Sequence, residues 1–275
     1  PAGPRLQGAH LLVVDDSAMN RDLVERALAL EGASATLAAD GLQALQILEA
    51  RPGGFDAVLM DVQMPVLDGL TATRRIREEL GLTRLPIIAF TAGVRDEQQA
   101  AARQAGANDV LPKPMDLEQM AVLLARWIAD ETAKTPSEAA PDSLPAAAPA
   151  VAEDDDTGFP DIPGIDRQRA AQRLSRDREM FLSLLELFVE DNARAPALAR
   201  EALAQGDREG AARRMHTLRS NAGFLCALDL MDTAGQLEKA IEQDEPDLDA
   251  RLAALQEEID ALIAASAPWR AGVTA

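Results

Sequence analysis

Residues 131–163, ETAKTPSEAAPDSLPAAAPAVAEDDDTGFPDIP, constrain the fold of this 275-residue chain more than any other stretch. They hold six prolines, eight acidic side chains against one lysine, and very little large apolar content. Such a segment cannot bury enough surface to offset the entropy of ordering it. It reads as a disordered linker, so the chain must fold as two units, 8–130 and 164–267, each long enough for a core of its own.

Charge follows the same division. Residues 1–130 carry 12 Lys and Arg against 18 Asp and Glu, and residues 164–275 carry 14 against 20, within a total of −19. That sign argues against nucleic acid or an anionic membrane surface as partner. Only two Trp and six Phe are present, which predicts cores built from Leu, Ala, Val, Ile and Met, with Trp127 and Trp269 as packing residues. The single Cys226 excludes an internal disulfide and suits a reducing compartment. No apolar run approaches the roughly 18 residues of a membrane span, and no signal-peptide pattern is visible. The expected location is cytoplasmic, free or as the soluble part of a membrane-anchored protein. The opening PAGPR, without Met, suggests a piece of a longer protein.

In the first unit, short apolar runs alternate with helix-period segments. LLVV (11–14), ATL (35–37), AVLM (57–60), PIIAF (86–90) and DVL (109–111) read as strands. Helices are expected over 17–32, with Ser17 as cap and Gly32 as stop, and over 41–50, 67–80, 94–104 and 116–130. This alternation predicts an α/β fold: a five-stranded parallel, doubly wound sheet whose ligands bind beyond the carboxyl ends of the strands. Asp15 and Asp16 close the first strand, Asp61 the third and Thr91 the fourth, and the fifth runs into Lys113-Pro114. Three carboxylates at one sheet edge resist ionisation unless a cation lies among them, and an all-oxygen donor set favours Mg²⁺. A hydroxyl and an ammonium opposite them suit the oxygens of a transferred phosphoryl group.

VVDDS, LMDVQMPVLDG, FTA and LPKP, in that order and spacing, resemble the flavodoxin-like receiver domain of two-component signalling. The resemblance implies that Asp61 is the phosphoacceptor and that Asp15, Asp16, Asp61 and the Gln63 carbonyl bind Mg²⁺. It also implies that Thr91 and Lys113 contact the phosphoryl oxygens, and that Met64-Pro65 and Asp68-Gly69 shape the next loop. Val110 stands where many receivers carry Phe or Tyr, a departure that fits a receiver handing its phosphoryl group onward.

The second unit is helical throughout. Asp177 caps REMFLSLLELFVEDNA, Pro196 opens a helix ending at Gly206, Asp207 caps the helix bearing His216, and two more follow. Short loops between amphipathic helices predict an antiparallel four-helix bundle with an extra N-terminal helix. Ala211, Met215, Leu218, Ala222 and Leu225 form its core stripe. At about 100° per residue, His216 lies about 140° from Ala211 and should face outward, ringed by Ala212, Arg213, Arg219, Ser220 and Gly223. Neither a metal site nor a hydrolytic triad fits, since the only other histidine is His10 and no Ser/His/Asp pattern appears.

HTLRSNAG (216–223), with PGID (163–166) at the entry, resembles the histidine phosphotransfer (HPt) domain. The resemblance implies His216 Nε2 as phosphoacceptor and Leu218 in the core. Arg219 stands where Lys is usual and Ser220 where Gly is usual. The order receiver, linker, HPt resembles the C-terminal part of a hybrid sensor histidine kinase, and no ATP-binding core is evident, the adjacent Gly53-Gly54 reading as a turn. The implied function is a relay: an upstream kinase phosphohistidine, on the same parent chain or another, to Asp61, then His216, then a separate response regulator. The rival readings are a non-transferring HPt-like docking module switched by the receiver, a DNA-acting regulator, and a phosphate sink.

Overall fold

The computed structural model describes residues 4–91, 96–113, 115–131, 159–174 and 177–270. Strands β1 (His10–Val14), β2 (Ser34–Ala38), β3 (Ala57–Asp61), β4 (Ile87–Thr91) and β5 (Asp109–Pro112) form one parallel sheet in the order β2-β1-β3-β4-β5. Helices α1 (Ala18–Leu30), α2 (Gly41–Ala50), α3 (Gly69–Glu78), α4 (Asp96–Gln104) and α5 (Leu117–Glu131) connect and cover it. The doubly wound α/β expectation holds.

Strands β3 and β4 are buried at every position, because a sheet covered on both faces needs apolar side chains on each. Alternate residues serve opposite layers. Leu11, Val13, Leu59 and Phe90 pack with Leu23 and Leu28 of α1 and Met120 and Leu124 of α5. Leu12, Val14, Val58 and Met60 pack with Leu45 and Leu48 of α2 and Ile76 of α3. Ser17, Asp40 and Asp68 each cap a helix by accepting from a backbone N–H three residues on.

Two backbone details shape the loop after β3. A Cβ on Gly69 would lie 1.9 Å from the Asp61 carbonyl oxygen, so only glycine lets α3 begin against the end of β3. Val66, by contrast, sits at φ 67° in a three-residue turn where Leu67 N–H donates to the Pro65 carbonyl at 2.8 Å. A β-branched residue is strained there, and Val66 is 77% exposed, so packing gives nothing back. Val66→Asn is expected to raise stability by about 1 kcal/mol in a urea melt, since Asn tolerates this region.

The second unit contains α6 (Arg167–Arg173), α7 (Arg178–Asn192), α8 (Ala195–Ala204), α9 (Arg208–Phe224), α10 (Leu228–Glu242) and α11 (Leu248–Arg270). Helices α8, α9, α10 and α11 form a closed ring, each packed on the next. Among the described residues two helices lie outside the ring, α6 and α7, rather than the single extra helix expected. Helix α7 packs on α9 and α11 and also against α1 of the first unit.

Three expectations need correction. The linker was expected to run to residue 163, but Phe159 and Ile162 are buried, and the Phe159 ring lies 4.8 Å from that of Phe181. The bundle thus gathers its entry segment into its core. The rest of that segment, residues 132–158, lies outside the described residues, as does Pro114. The helical end also extends beyond 267, to Arg270. Finally, the aromatic-poor cores still depend on aromatics: Phe55, Phe90, Phe159, Phe181, Phe188 and Phe224 are all buried. No helix among the described residues is long and apolar enough to cross a membrane.

Candidate functional site

Strand β1 has β2 on one side and β3 on the other, so the chain direction across the sheet reverses between β1 and β3, where a crevice opens at their carboxyl ends. Asp15 and Asp16 follow β1 there and Asp61 ends β3. One carboxylate oxygen from each lies within 4.8 Å of the others. The Lys113 ammonium approaches to 2.7 Å from Asp61 Oδ2 and 3.2 Å from Asp15 Oδ2. Burial acts against that ammonium, but Asp15 and Asp61 more than offset it and hold its pKa above the ordinary value. Burial is also the largest influence on Asp61; with Asp15 adding and Lys113 opposing, its pKa is pushed up to about 7. Asp16 is raised too, by burial and by Asp15, against Lys113 and His216.

Three carboxylates facing one ammonium leave a deficit of positive charge in an all-oxygen cluster. That donor set fits a hard divalent cation such as Mg²⁺. Asn20, unnoticed in the sequence, clamps Asp15: its amide donates to Oδ1 at 3.0 Å and Oδ2 at 3.1 Å. Asn20 Oδ1 is buried without a partner. The Gln63 backbone N–H donates to Asp61 Oδ1 at 3.1 Å. Thr91 is buried at the end of β4, where its hydroxyl donates to Gln98 Oε1 at 3.0 Å and its carbonyl accepts from the Lys113 N–H at 2.7 Å.

The core stripe of α9 is as expected: Ala211, Met215, Leu218, Ala222 and Leu225 are all fully buried. His216 is not exposed, however; only 5% of it is accessible. The helical wheel gives its direction on α9 but not what lies in that direction. Glu238 of α10 covers one edge of the ring, its Oε1 2.8 Å from His216 Nδ1. The first unit lies across from the bundle there, over a cavity of about 470 Å³ walled by Val62, Gln63, Met64 and Asp68 on one side and Ala212, Arg213, His216 and Glu238 on the other. His216 Nε2 is buried and has no hydrogen-bond partner.

The expected ring of small neighbours also changes character. Ser220 and Gly223 are buried, and the Gly223 carbonyl accepts from the Arg173 guanidinium. Arg219 turns toward α10, its Nη1 3.5 Å from Glu238 Oε2, while Arg213 pairs with Glu209 at 2.7 Å. Glu238 left a trace in the sequence: it shares an apolar stripe with Ala234, Leu237 and Ile241, and an acid on such a stripe needs a partner.

The two units meet along α1. Ser17 Oγ donates to Asn221 Oδ1 at 2.9 Å, Asn221 Nδ2 to Asn192 Oδ1 at 3.3 Å, and Asn192 Nδ2 to the Phe188 carbonyl at 2.9 Å. Arg26 Nη2 donates to Ser183 Oγ at 2.9 Å. The Asp191 carboxylate accepts from the Met19 backbone N–H at the start of α1. Thr217, beside His216, reaches Asp16 Oδ2 at 3.5 Å.

Residues 11–125 match the family model of the response regulator receiver domain, and residues 183–265 match that of the Hpt domain. Response regulator MprA of Mycobacterium sp. (strain KMS) is 41% identical over 132 residues, covering 46% of this chain and 55% of that protein. Hybrid signal transduction histidine kinase G of Dictyostelium discoideum is 36% identical over 124 residues, covering 44% of this chain and 4% of that protein. The chain thus spans about half the length of MprA, 55%, and a small part of the kinase, 4%. Among solved structures, the receiver domain of sensor histidine kinase PA1611 from Pseudomonas aeruginosa PAO1, with a magnesium ion coordinated in its active-site cleft, is 41% identical with a TM-score of 0.41. It covers 44% of this chain and 98% of that one.

Proposed function

Since this chain belongs to the two-component families, joining a response regulator receiver domain to an Hpt domain, we propose that it relays a phosphoryl group from a kinase phosphohistidine to Asp61 and then to His216. The final acceptor is the receiver of a separate response regulator, and the setting is cytoplasmic. Asp61 attacks the incoming phosphorus as its N–P bond breaks, forming an acyl phosphate. His216 Nε2 then attacks the same phosphorus, the O–P bond breaks, and Asp61 leaves as a carboxylate.

The observation that best supports this reading is the state of the His216 ring. Its Nδ1 lies 2.8 Å from a carboxylate oxygen, which can only accept, so in the neutral ring the proton sits on Nδ1 and Nε2 keeps its lone pair. Nε2 is buried and unpartnered, on a ring that helps line the cavity walled by the loop after Asp61. Lys113 neutralises charge on the transferring group and on the carboxylate left behind, while its ion pair with Asp15 holds it in place. Asp15, Asp16, Asp61 and the Gln63 carbonyl would hold Mg²⁺. When bound, Mg²⁺ supplies further neutralisation of the phosphoryl oxygens. Thr91, the last residue of β4, would donate its hydroxyl proton to one of those oxygens.

Acetyl phosphate and Mg²⁺ are expected to label Asp61, and the label then to appear in an acid-labile, base-stable form on the bundle. Asp61→Asn should abolish both labels and His216→Gln only the second. Absence of base-stable label from the wild-type bundle would instead favour the non-transferring docking module, and base-stable label that persists in His216→Gln would remove His216 as the acceptor.

A further inference from the structure

Among the described residues, Asp15 meets more hydrogen-bond donors than Asp16 or Asp61 does, and one side chain supplies two of those contacts. We propose that Asn20 is a positioning residue of the metal centre: by gripping both oxygens of Asp15 it leaves that carboxylate a single oxygen to offer a cation, and so selects Mg²⁺ over the larger Ca²⁺. The selection rests on the reading of the acidic pocket as a Mg²⁺ site, and not on where a phosphoryl group goes afterwards.

A carboxylate has about four lone-pair sites, and at Asp15 the contacts fill them. Oδ1 accepts from the Ser17 backbone N–H at 2.9 Å and the Asn20 amide at 3.0 Å; Oδ2 accepts from the Asn20 amide at 3.1 Å and the Lys113 ammonium at 3.2 Å. The backbone is fixed as well. The Asp15 carbonyl accepts from Arg21 Nη1 at 2.6 Å, and its N–H donates to the Ala38 carbonyl at 3.2 Å. Asp16, by contrast, is half-buried and has the Thr217 hydroxyl at 3.5 Å. Asn20 is only 2% accessible, and its Oδ1 is buried with no partner among the described residues. An amide that leaves its own buried acceptor unsatisfied is committed by its donor, here to Asp15. Without that grip, three carboxylates gathered within 4.8 Å repel one another, and Asp15 is free to swing out of the pocket.

Selection between cations follows from size and flexibility. Of the groups on Asp15, only Lys113 has a long side chain that can move aside, and it bonds Oδ2; Oδ1 stays occupied by Ser17 and Asn20. Asp15 can therefore turn one oxygen, and not both, to a cation. Mg²⁺ is small, octahedral and content with single-oxygen contacts, whereas Ca²⁺ takes more oxygens at longer distances and often both oxygens of one carboxylate. Loosening Asp15 frees its second oxygen, which helps the larger ion and costs the smaller one a fixed ligand.

Titrating the full chain with Mg²⁺ and separately with Ca²⁺, followed by the backbone amide NMR shifts of Asp15 and Asp61, gives the ratio of the two affinities. A general loss of packing would weaken both ions alike and leave that ratio unchanged. Asn20→Ala is expected to weaken Mg²⁺ binding about tenfold, within the usual cost of removing a partner that orients a metal ligand, and Ca²⁺ binding by less than about threefold. Asn20→Leu fills the space of the amide without its donor and should give the same change in ratio. Equal losses for both ions, or unchanged Mg²⁺ binding, would overturn the proposal. The wild-type chain supplies a reading that needs no variant to fold: without Mg²⁺, the Asn20 side-chain amide protons should exchange slowly with solvent. Exchange as fast as that of an exposed asparagine would overturn the grip on Asp15 directly. A wild-type chain that binds neither ion would remove the Mg²⁺ reading of the pocket, and this selection with it.

Discussion

Replacing Asp61 by Asn is expected to stabilise the receiver in Mg²⁺-free solution at pH 8, by at most about 4 kcal/mol, and to abolish labelling by acetyl phosphate. The sign follows from the raised pKa of Asp61, about 7 in the folded chain against an ordinary 3.8. Below pH 4 the group is neutral in both states and contributes nothing. From about pH 4 to 7 the unfolded chain releases this proton and the folded chain retains it, so stability falls as pH rises. Above 7 the folded chain carries a buried carboxylate and the full cost is present. Asparagine removes that cost, and Lys113 keeps Asp15 as partner at 3.2 Å. Urea melts of both chains, followed by fluorescence, should show a gap that widens between pH 4 and 7 and is constant above. Mg²⁺ needs the ionised carboxylates, so it should stabilise the wild type more at pH 8 than at pH 5 and should narrow the gap at pH 8. A gap independent of pH would show that Asp61 ionises freely and that the pocket is not strained by its charge.

That trade between stability and a charged pocket also explains how much of the molecule is legible in the sequence. The five strands and the caps Ser17, Asp177 and Asp207 follow local rules, periodicity and side-chain-to-backbone bonding, and these need no knowledge of distant residues. The acidic pocket is legible because the fold class itself brings the strand ends together. His216 was only half legible. Its angle on α9 follows from helical geometry, but its burial depends on Glu238, 22 residues away, and on a receiver some 150 residues away. No periodic pattern encodes either contact. The polar chain from Ser17 through Asn221 to Asn192 escaped for the same reason, since Ser and Asn on helices ordinarily face water. Phe159 and Ile162 were hidden within a stretch whose average composition is that of a linker.

The largest effect expected away from the reacting atoms is at Glu238. Replacing it by Ala should slow transfer from Asp61 to His216 by about 10- to 100-fold, the usual cost of removing the partner that orients a functional imidazole. Without the carboxylate, the ring proton divides between Nδ1 and Nε2, and the fraction protonated at Nε2 cannot attack phosphorus. Arg219 also loses its partner, and the ring can turn toward the cavity. Glu238→Gln separates geometry from charge: its amide oxygen still accepts from Nδ1–H, so the tautomer is kept while the negative charge is lost. The Gln variant should therefore recover most of the rate, leaving a loss of a few-fold. Nitrogen-15 NMR of the imidazole gives a readout independent of turnover. Wild type and Glu238→Gln should show the Nδ1–H tautomer and Glu238→Ala a mixture. An Ala variant that transfers at the wild-type rate, or a wild-type ring protonated at Nε2, would remove Glu238 from the mechanism and leave Nε2 without the group that frees it.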